Sequence, residues 1–225
     1  MIRVEGVCAV LTDIEGTTGS IAFVKDTLFP YARRRMAAFV AAHPTETAPI
    51  LDAVRQETGR PDIGDRQAVQ VLLDWMDEDR KATPLKALQG MIWREGYESG
   101  RLVGHIYDDA ARGLKRWAKA GLHLYVYSSG SIEAQQLIFR HSRKGDLSGL
   151  FIGWFDTTTG PKTDPASYLK ICQAADCAPA QLLFLTDSEA EQAAAYSAGV
   201  VVVRLARDGP QAAGTAASFD EIEIA

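Results

Sequence analysis

The sequence predicts an α/β fold, a doubly wound parallel sheet interrupted by a block of helices. Three observations lead there. The run Val7-Cys8-Ala9-Val10-Leu11-Thr12 carries no internal turn residue and stops at Asp13, as a strand buried on both faces does. Three similar apolar runs, over residues 123–127, 182–186 and 200–203, follow helical patterns in turn, which is the alternation of a parallel sheet with right-handed crossovers. Between the first run and the others, residues 22–100 read as helix after helix with no strand pattern. The expected organisation is a core from residues 1–21 and 101–225, with residues 22–100 inserted as a helical cap.

Taken in order, the first strand is expected to bury Cys8 as a small hydrophobe. Pro30 suits the first turn of a helix reaching about Ala42, and further helices are expected over Thr47–Thr58, Arg66–Arg80 and Pro84–Ser99. Val69, Leu72, Leu73 and Met76 recur at spacings of three and four and form one apolar stripe. The Gly59–Asp65 stretch breaks the block. Arg33-Arg34-Arg35 lies within a helical pattern and is expected on a solvated face. An extended return covers Gly100–Tyr107. Asp108 or Asp109 is expected to cap a helix that stops at Gly121. A strand over His123–Tyr127 then runs into Ser128-Ser129-Gly130-Ser131, and a helix starts near Ile132. A short strand over Leu150–Phe155, a loop carrying Lys162, a helix from Pro165, a strand over Leu182–Thr186 and a helix from Glu189 follow. Val200–Val203 is the last clear strand, and Ala212–Ala217 reads as a mobile loop.

Composition narrows the function. The 225 residues are 47% hydrophobic and 24% charged, with net charge −5, an ordinary globular balance without the basic patch of a nucleic-acid binder. No apolar run approaches the ~20 residues that span a membrane, and the first residues lack the pattern of a signal peptide. Cys8, Cys172 and Cys177 make an odd number with no CxxC spacing, so neither a disulfide framework nor a thiolate zinc site is indicated. The four histidines show no metal-binding spacing. A reduced, cytoplasmic protein is expected.

The polar residues gather at strand ends. The first strand delivers Asp13 and Glu15, the second Ser128 and Ser129, and the fourth Asp187, while a loop adds Lys162. Carboxyl ends of parallel strands lie side by side, so these groups can surround one small volume. Asp13 and Asp187 with an oxygen from Glu15 suit a hard cation such as Mg²⁺, which binds through one or two carboxylates plus phosphate and water. Glu191, one helical turn beyond Asp187, lies on the same side and can ligate directly or through water. Ser128 and Ser129 at a helix N-terminus suit an anion, and Lys162 would balance charge on a phosphoryl group in transfer. Each feature has a bland counterpart in a cap, a turn or a solvated lysine; their coincidence at strand ends favours a site.

Asp13-Ile14-Glu15-Gly16-Thr17-Thr18, Ser128-Ser129-Gly130-Ser131, Lys162 and Asp187 resemble the four motifs of the haloacid-dehalogenase superfamily. Within it, the chain resembles the enolase-phosphatase (acireductone synthase) family of methionine salvage. Glu15, two residues after Asp13, is the position where most superfamily phosphatases carry Asp. Further matching text includes Leu28-Phe29-Pro30-Tyr31-Ala32, Pro84-Leu85-Lys86-Ala87-Leu88-Gln89-Gly90 and Tyr125 through Gln135. The likeness runs over residues 7–204 and fades at Leu205-Ala206-Arg207-Asp208-Gly209-Pro210.

The resemblance implies a Rossmann-like core with a helical cap, Mg²⁺ as cofactor, and usually a monomer. It implies enolisation of 2,3-diketo-5-methylthiopentyl-1-phosphate and then loss of phosphate to give an acireductone. It makes Asp13 nucleophile and metal ligand, and Glu15 metal ligand and proton-transfer residue. Ser128, Ser129 and Lys162 hold the phosphate, Asp187 holds the metal, and Glu191 matches a second acidic position. The partner expected is a small-molecule phosphate ester. Alternatives are a superfamily phosphatase for another small phosphate ester, a metal-free dehalogenase, and a catalytically silent scaffold on the same fold.

Overall fold

Apolar residues collect in two separate cores, and the chain divides accordingly. The computed structural model describes residues 1–209, 212 and 214–225. One unit comprises Met1–Phe23 and Val103–Ala225, the other Val24–Leu102.

The first unit holds every strand, numbered in chain order: β1 (Ile2–Val4), β2 (Ala9–Thr12), β3 (His123–Tyr127), β4 (Phe151–Phe155), β5 (Leu182–Thr186), β6 (Val201–Leu205), β7 (Thr215–Ala216) and β8 (Ile222–Ile224). Six form a parallel sheet in the order β4-β3-β2-β5-β6-β7, and β1 pairs with β8 in a separate parallel ribbon. All four residues of β2 are buried, because strands flank it on both sides and helices cover parallel sheets. Register then sets what emerges at the carboxyl end. Thr12 pairs with Val126 on one side and Leu185 on the other. Asp13 is therefore level with the ends of β3 and β5, and Ser128 and Asp187 follow just beyond those ends. This is the doubly wound α/β fold that the alternating pattern predicts.

Connecting helices begin where short polar side chains can take up free amides. In α7 (Ile132–Arg140) Ser131 accepts from Ala134 N; in α8 (Pro165–Ala174) Asp164 accepts from Ala166 N, with Pro165 in the first turn; in α9 (Glu189–Ser197) Ser188 accepts from Glu191 N. Such caps satisfy donors that the helix itself leaves unpaired. The helix α6 (Asp108–Lys119) differs from expectation. Its N-cap is Tyr107, without a side-chain cap bond, because the Asp109 carboxylate turns instead to Arg207 and the Phe219 amide.

The second unit is helical throughout. A short turn α1 (Ile21–Phe23), in the first unit, widens into a π-helical turn at Val24–Leu28 and continues as α2 (Phe29–Ala42); α3 (Pro44–Thr58), α4 (Asp65–Asp77) and α5 (Thr83–Glu98) complete it. Met36, Leu51, Val54, Leu72, Trp75, Leu88 and Ile92 form its buried core. Leu73 and Met76, expected within the apolar stripe of α4, are only partly buried, and Trp75 takes the inner position. Arg35, expected on a solvated face, pairs at 2.8 Å with Glu95, which also meets His43.

Three further expectations change. Cys8 precedes β2 and is exposed, because pairing of β2 begins at Ala9, opposite His123 and Leu182. Thr215–Ala216, expected in a mobile loop, forms β7 beside Arg204 and Leu205; Ala213 of that loop lies outside the described residues, as do Pro210 and Gln211. Ile2–Val4, assigned no element from the sequence, pairs with Ile222–Ile224. Among the described residues no helix is long and apolar enough to cross a membrane.

Candidate active site

Asp13 is held rigidly at the end of β2. Its amide donates to Leu185 O of the neighbouring strand at 2.9 Å, its carbonyl accepts from the Thr12 and Thr18 hydroxyls, and its Oδ1 accepts from Ile14 N at 2.7 Å. The following loop closes on one carbonyl, with the amides of Thr17, Thr18 and Gly19 all donating to Ile14 O. Gly16 is required there. Its φ is +70°, and a Cβ at that position would stand 2.1 Å from Asp187 Oδ2. The backbone of the loop and the carboxylate after β5 therefore share a contact that only glycine allows. Glu15 bridges to Gly19 within the same loop. Thr17 and Thr18 are fully buried, and the Thr18 hydroxyl already serves the Asp13 carbonyl.

Lys162 joins two of the strand-end motifs. Its Nζ lies 2.8 Å from Asp13 Oδ1 and 2.8 Å from Glu191 Oε2, with the lysine side chain 11% exposed. Glu191 Oε2 also accepts from Thr186 Oγ1 at 2.7 Å. Two buried tyrosines fix the loop that carries the lysine. Tyr127 OH donates to Gly160 O at 2.7 Å, and Tyr168 OH donates to Lys162 O at 2.6 Å. A flexible four-carbon side chain is thereby aimed before any substrate arrives. Sequence reasoning missed both tyrosines and Thr186. Tyr127 sits inside a strand pattern and Tyr168 inside a helix, where each reads as core; only the strand-end position of Thr186 was a signal.

On the far side of β2, Ser128 is buried and its Oγ accepts from Gly130 N at 3.3 Å, while Ser129 is exposed. Gln135, which lies in the matching text but was assigned no role, holds this turn by donating from Nε2 to Gly130 O at 2.8 Å and Phe155 O at 2.9 Å.

Electrostatics follow from burial. Burial raises the Asp13 carboxyl against the pull of Lys162, and Glu191 raises it further. Lys162 is held above its ordinary value, because its two carboxylate partners outweigh the burial that opposes its charge. Asp187 is raised by burial and by Glu191. Two carboxylates facing one ammonium leave a net charge of −1, and Asp187 adds another. A buried excess of negative charge with hard oxygen donors fits a divalent cation. No three His, Cys, Asp or Glu side chains converge as a ready-made cage among the described residues. Mg²⁺ does not need such a cage, since it commonly binds through one or two carboxylates, substrate phosphate and water.

The arrangement can attack phosphorus from one carboxylate, balance charge with one buried lysine, and receive an anion at the Ser128–Ser131 turn. The haloacid dehalogenase-like hydrolase family matches residues 8–199. An enolase-phosphatase E1 of Pseudomonas syringae pv. syringae is 55% identical over 208 residues, 92% of each chain. The enolase-phosphatase E1 of Azotobacter vinelandii is 52% identical over 221 residues, covering 96% of this chain and 97% of its own. Among solved structures, the UTR4 protein of Saccharomyces cerevisiae superposes with a TM-score of 0.80 at 30% identity, over 97% of both chains. With these motifs at adjoining strand ends and likeness of this extent, the chain belongs to the enolase-phosphatase E1 family of haloacid dehalogenase-like hydrolases.

Proposed function

We propose that the chain converts 2,3-diketo-5-methylthiopentyl-1-phosphate to its acireductone and phosphate by enolisation and then phosphoryl transfer to Asp13, with Mg²⁺ as cofactor. The observation that supports it most is the position of Lys162 Nζ, 2.8 Å from both Asp13 Oδ1 and Glu191 Oε2 at the carboxyl end of the sheet.

Both the Ile14 amide and Lys162 contact Oδ1 of Asp13, so Oδ2 is assigned as the attacking oxygen. It bonds to phosphorus as the bond from phosphorus to the enol oxygen breaks, and Glu15 gives the leaving oxygen its proton. Glu15 then takes a proton from the water that attacks the aspartyl-phosphate, which frees phosphate and restores Asp13. Ser128, Ser129 and Lys162 hold the phosphoryl oxygens in line. Asp13, Glu15 and Asp187 would hold the metal, which when bound polarises substrate oxygens as a Lewis acid. Glu191 already shares Oε2 between Lys162 and Thr186, which favours an indirect part for it. The helical unit is assigned as the cap that selects substrate and excludes water.

The test follows enediol absorbance and free phosphate in parallel on the diketo phosphate, for the native protein with Mg²⁺ and for Glu15→Gln. Both signals should appear with the native protein. The variant should lose phosphate release by about a hundredfold or more while the phosphorylated enol accumulates. Phosphate release from simple esters without any enediol signal from this substrate would replace the reading with a phosphatase of another specificity.

A further inference from the structure

We propose that Arg207 is a positioning residue for the loop that presents Asp13 and Glu15. The inference rests on the reading of that loop as catalytic.

Arg207 follows β6. Its guanidinium reaches back across the chain. Nε donates to Thr17 O at 2.7 Å, and the two terminal nitrogens donate to the Asp109 carboxylate at 3.1 and 3.0 Å. The plane lies 4.0 Å over the Tyr107 ring. The arginine side chain is 8% exposed and Asp109 13%. Asp109 is bound a third time, by the Phe219 amide at 2.7 Å. Burial opposes its charge, yet Arg207 and that amide hold its carboxyl below the usual range.

Thr17 is in the turn that follows Asp13, and its carbonyl points away from the loop's own hydrogen bonds. Inside the loop, three amides converge on Ile14 O. On its outside, Thr17 O meets Arg207 and Thr18 O accepts from Tyr107 N at 2.9 Å. A neighbouring contact, Ser20 N donating to His105 Nδ1 at 3.2 Å, ties the outgoing chain to the same returning segment. Arg207 thus grips the loop, the start of α6 and the ring of Tyr107 together. Arginine is required for this: a planar fork can serve a carboxylate with two N–H groups and a carbonyl with a third. Lysine offers one point charge and cannot span both acceptors in that plane. Losing the fork takes the donor from Thr17 O and leaves the nearly buried Asp109 carboxylate with the Phe219 amide but no cation, and the loop would relax to satisfy them. Displacement of about 1 Å at reacting groups is enough to cost on the order of a hundredfold in rate.

The experiment uses the full chain as Arg207→Ala, Arg207→Lys and Asp109→Asn, with Asp13→Asn run beside them. Steady-state phosphate release is measured with and without added guanidinium or ammonium ion, and folding is followed by circular dichroism. We expect kcat of Arg207→Ala to fall by about tenfold to a hundredfold with KM changing by less than about threefold, because the Arg207 guanidinium is committed to Thr17 O and Asp109. Guanidinium should restore part of that kcat, and ammonium should not. Arg207→Lys should fold and still turn over slowly. Should Arg207→Ala fail to fold, Arg207→Lys and Asp109→Asn carry the test. Folded variants with native kcat and only a lowered melting temperature would overturn the positioning role. Native phosphate release by Asp13→Asn would instead overturn the catalytic reading of the loop, whatever Arg207 does.

Discussion

The two units contain the same kinds of ion pair in opposite surroundings. In the helical unit Arg33 grips Asp77 with both terminal nitrogens, at 2.7 and 3.0 Å, but the side chains are 43% and 62% exposed. In the sheet unit Lys162 meets Asp13 and Glu191 at similar distances with all three side chains at 15% or below. Water screens the first pair, so it contributes little. The second was desolvated at a cost of several kcal/mol per ion. The helical unit gains its stability from a continuous apolar core and keeps the Arg33–Asp77 pair in water. The sheet unit tolerates buried charge at one end of the sheet, where a transition state can use it. Equal distances therefore say nothing of equal consequence; burial decides.

Substitutions can break that contrast at either end. The largest effect is expected from Asp13→Asn, because an amide neither attacks phosphorus nor ligates a cation as a carboxylate does. Phosphate release should disappear while circular dichroism stays native. Next comes Lys162→Met. It leaves two buried carboxylates without their shared cation, and the fold should lose about 3–5 kcal/mol by denaturant titration, along with turnover. An unchanged unfolding midpoint would show that the pair is solvated after all.

Leu72→Ala works on the other unit. Leu72 is fully buried in the core that also holds Trp75 and Leu88, so truncation should cost about 2–5 kcal/mol, with kcat per folded molecule retained. Smallest is Arg33→Ala, whose expected cost is below about 1 kcal/mol. A larger loss there would mean that exposure is a poor guide to these pairs.

Much of this was legible before any coordinates. Val69 and Leu72 of α4 lie on its buried side as the helical period predicts, while Trp75 stands there in place of Leu73 and Met76. The uninterrupted run ending at Asp13 gave away a central parallel strand, and polar residues at adjoining strand ends marked the candidate site, where Lys162 does meet Asp13 and Glu191. What stayed hidden depends on partners far off in sequence. Ile2–Val4 and Ile222–Ile224 are each too short to show a period, and each becomes a strand only beside the other. Asp109 looks like a helix cap until Arg207 and Phe219 claim it. Tyr127 and Tyr168 read as core residues, which they are, but their hydroxyls also fix the lysine loop. Cys8 looked buried because apolar runs do not announce where pairing begins.

The central claim is that the buried carboxylate of Asp13, braced by Ile14 and Lys162, takes the phosphoryl group. Its most direct test is rapid acid quench of the native protein during turnover of the diketo phosphate, followed by mass spectrometry of the peptide that contains Asp13. One phosphoryl group is expected on Asp13 in the native protein and none on that peptide in Asp13→Asn. Continued phosphate release with no covalent phosphoryl group, or with the group on another residue, would contradict it.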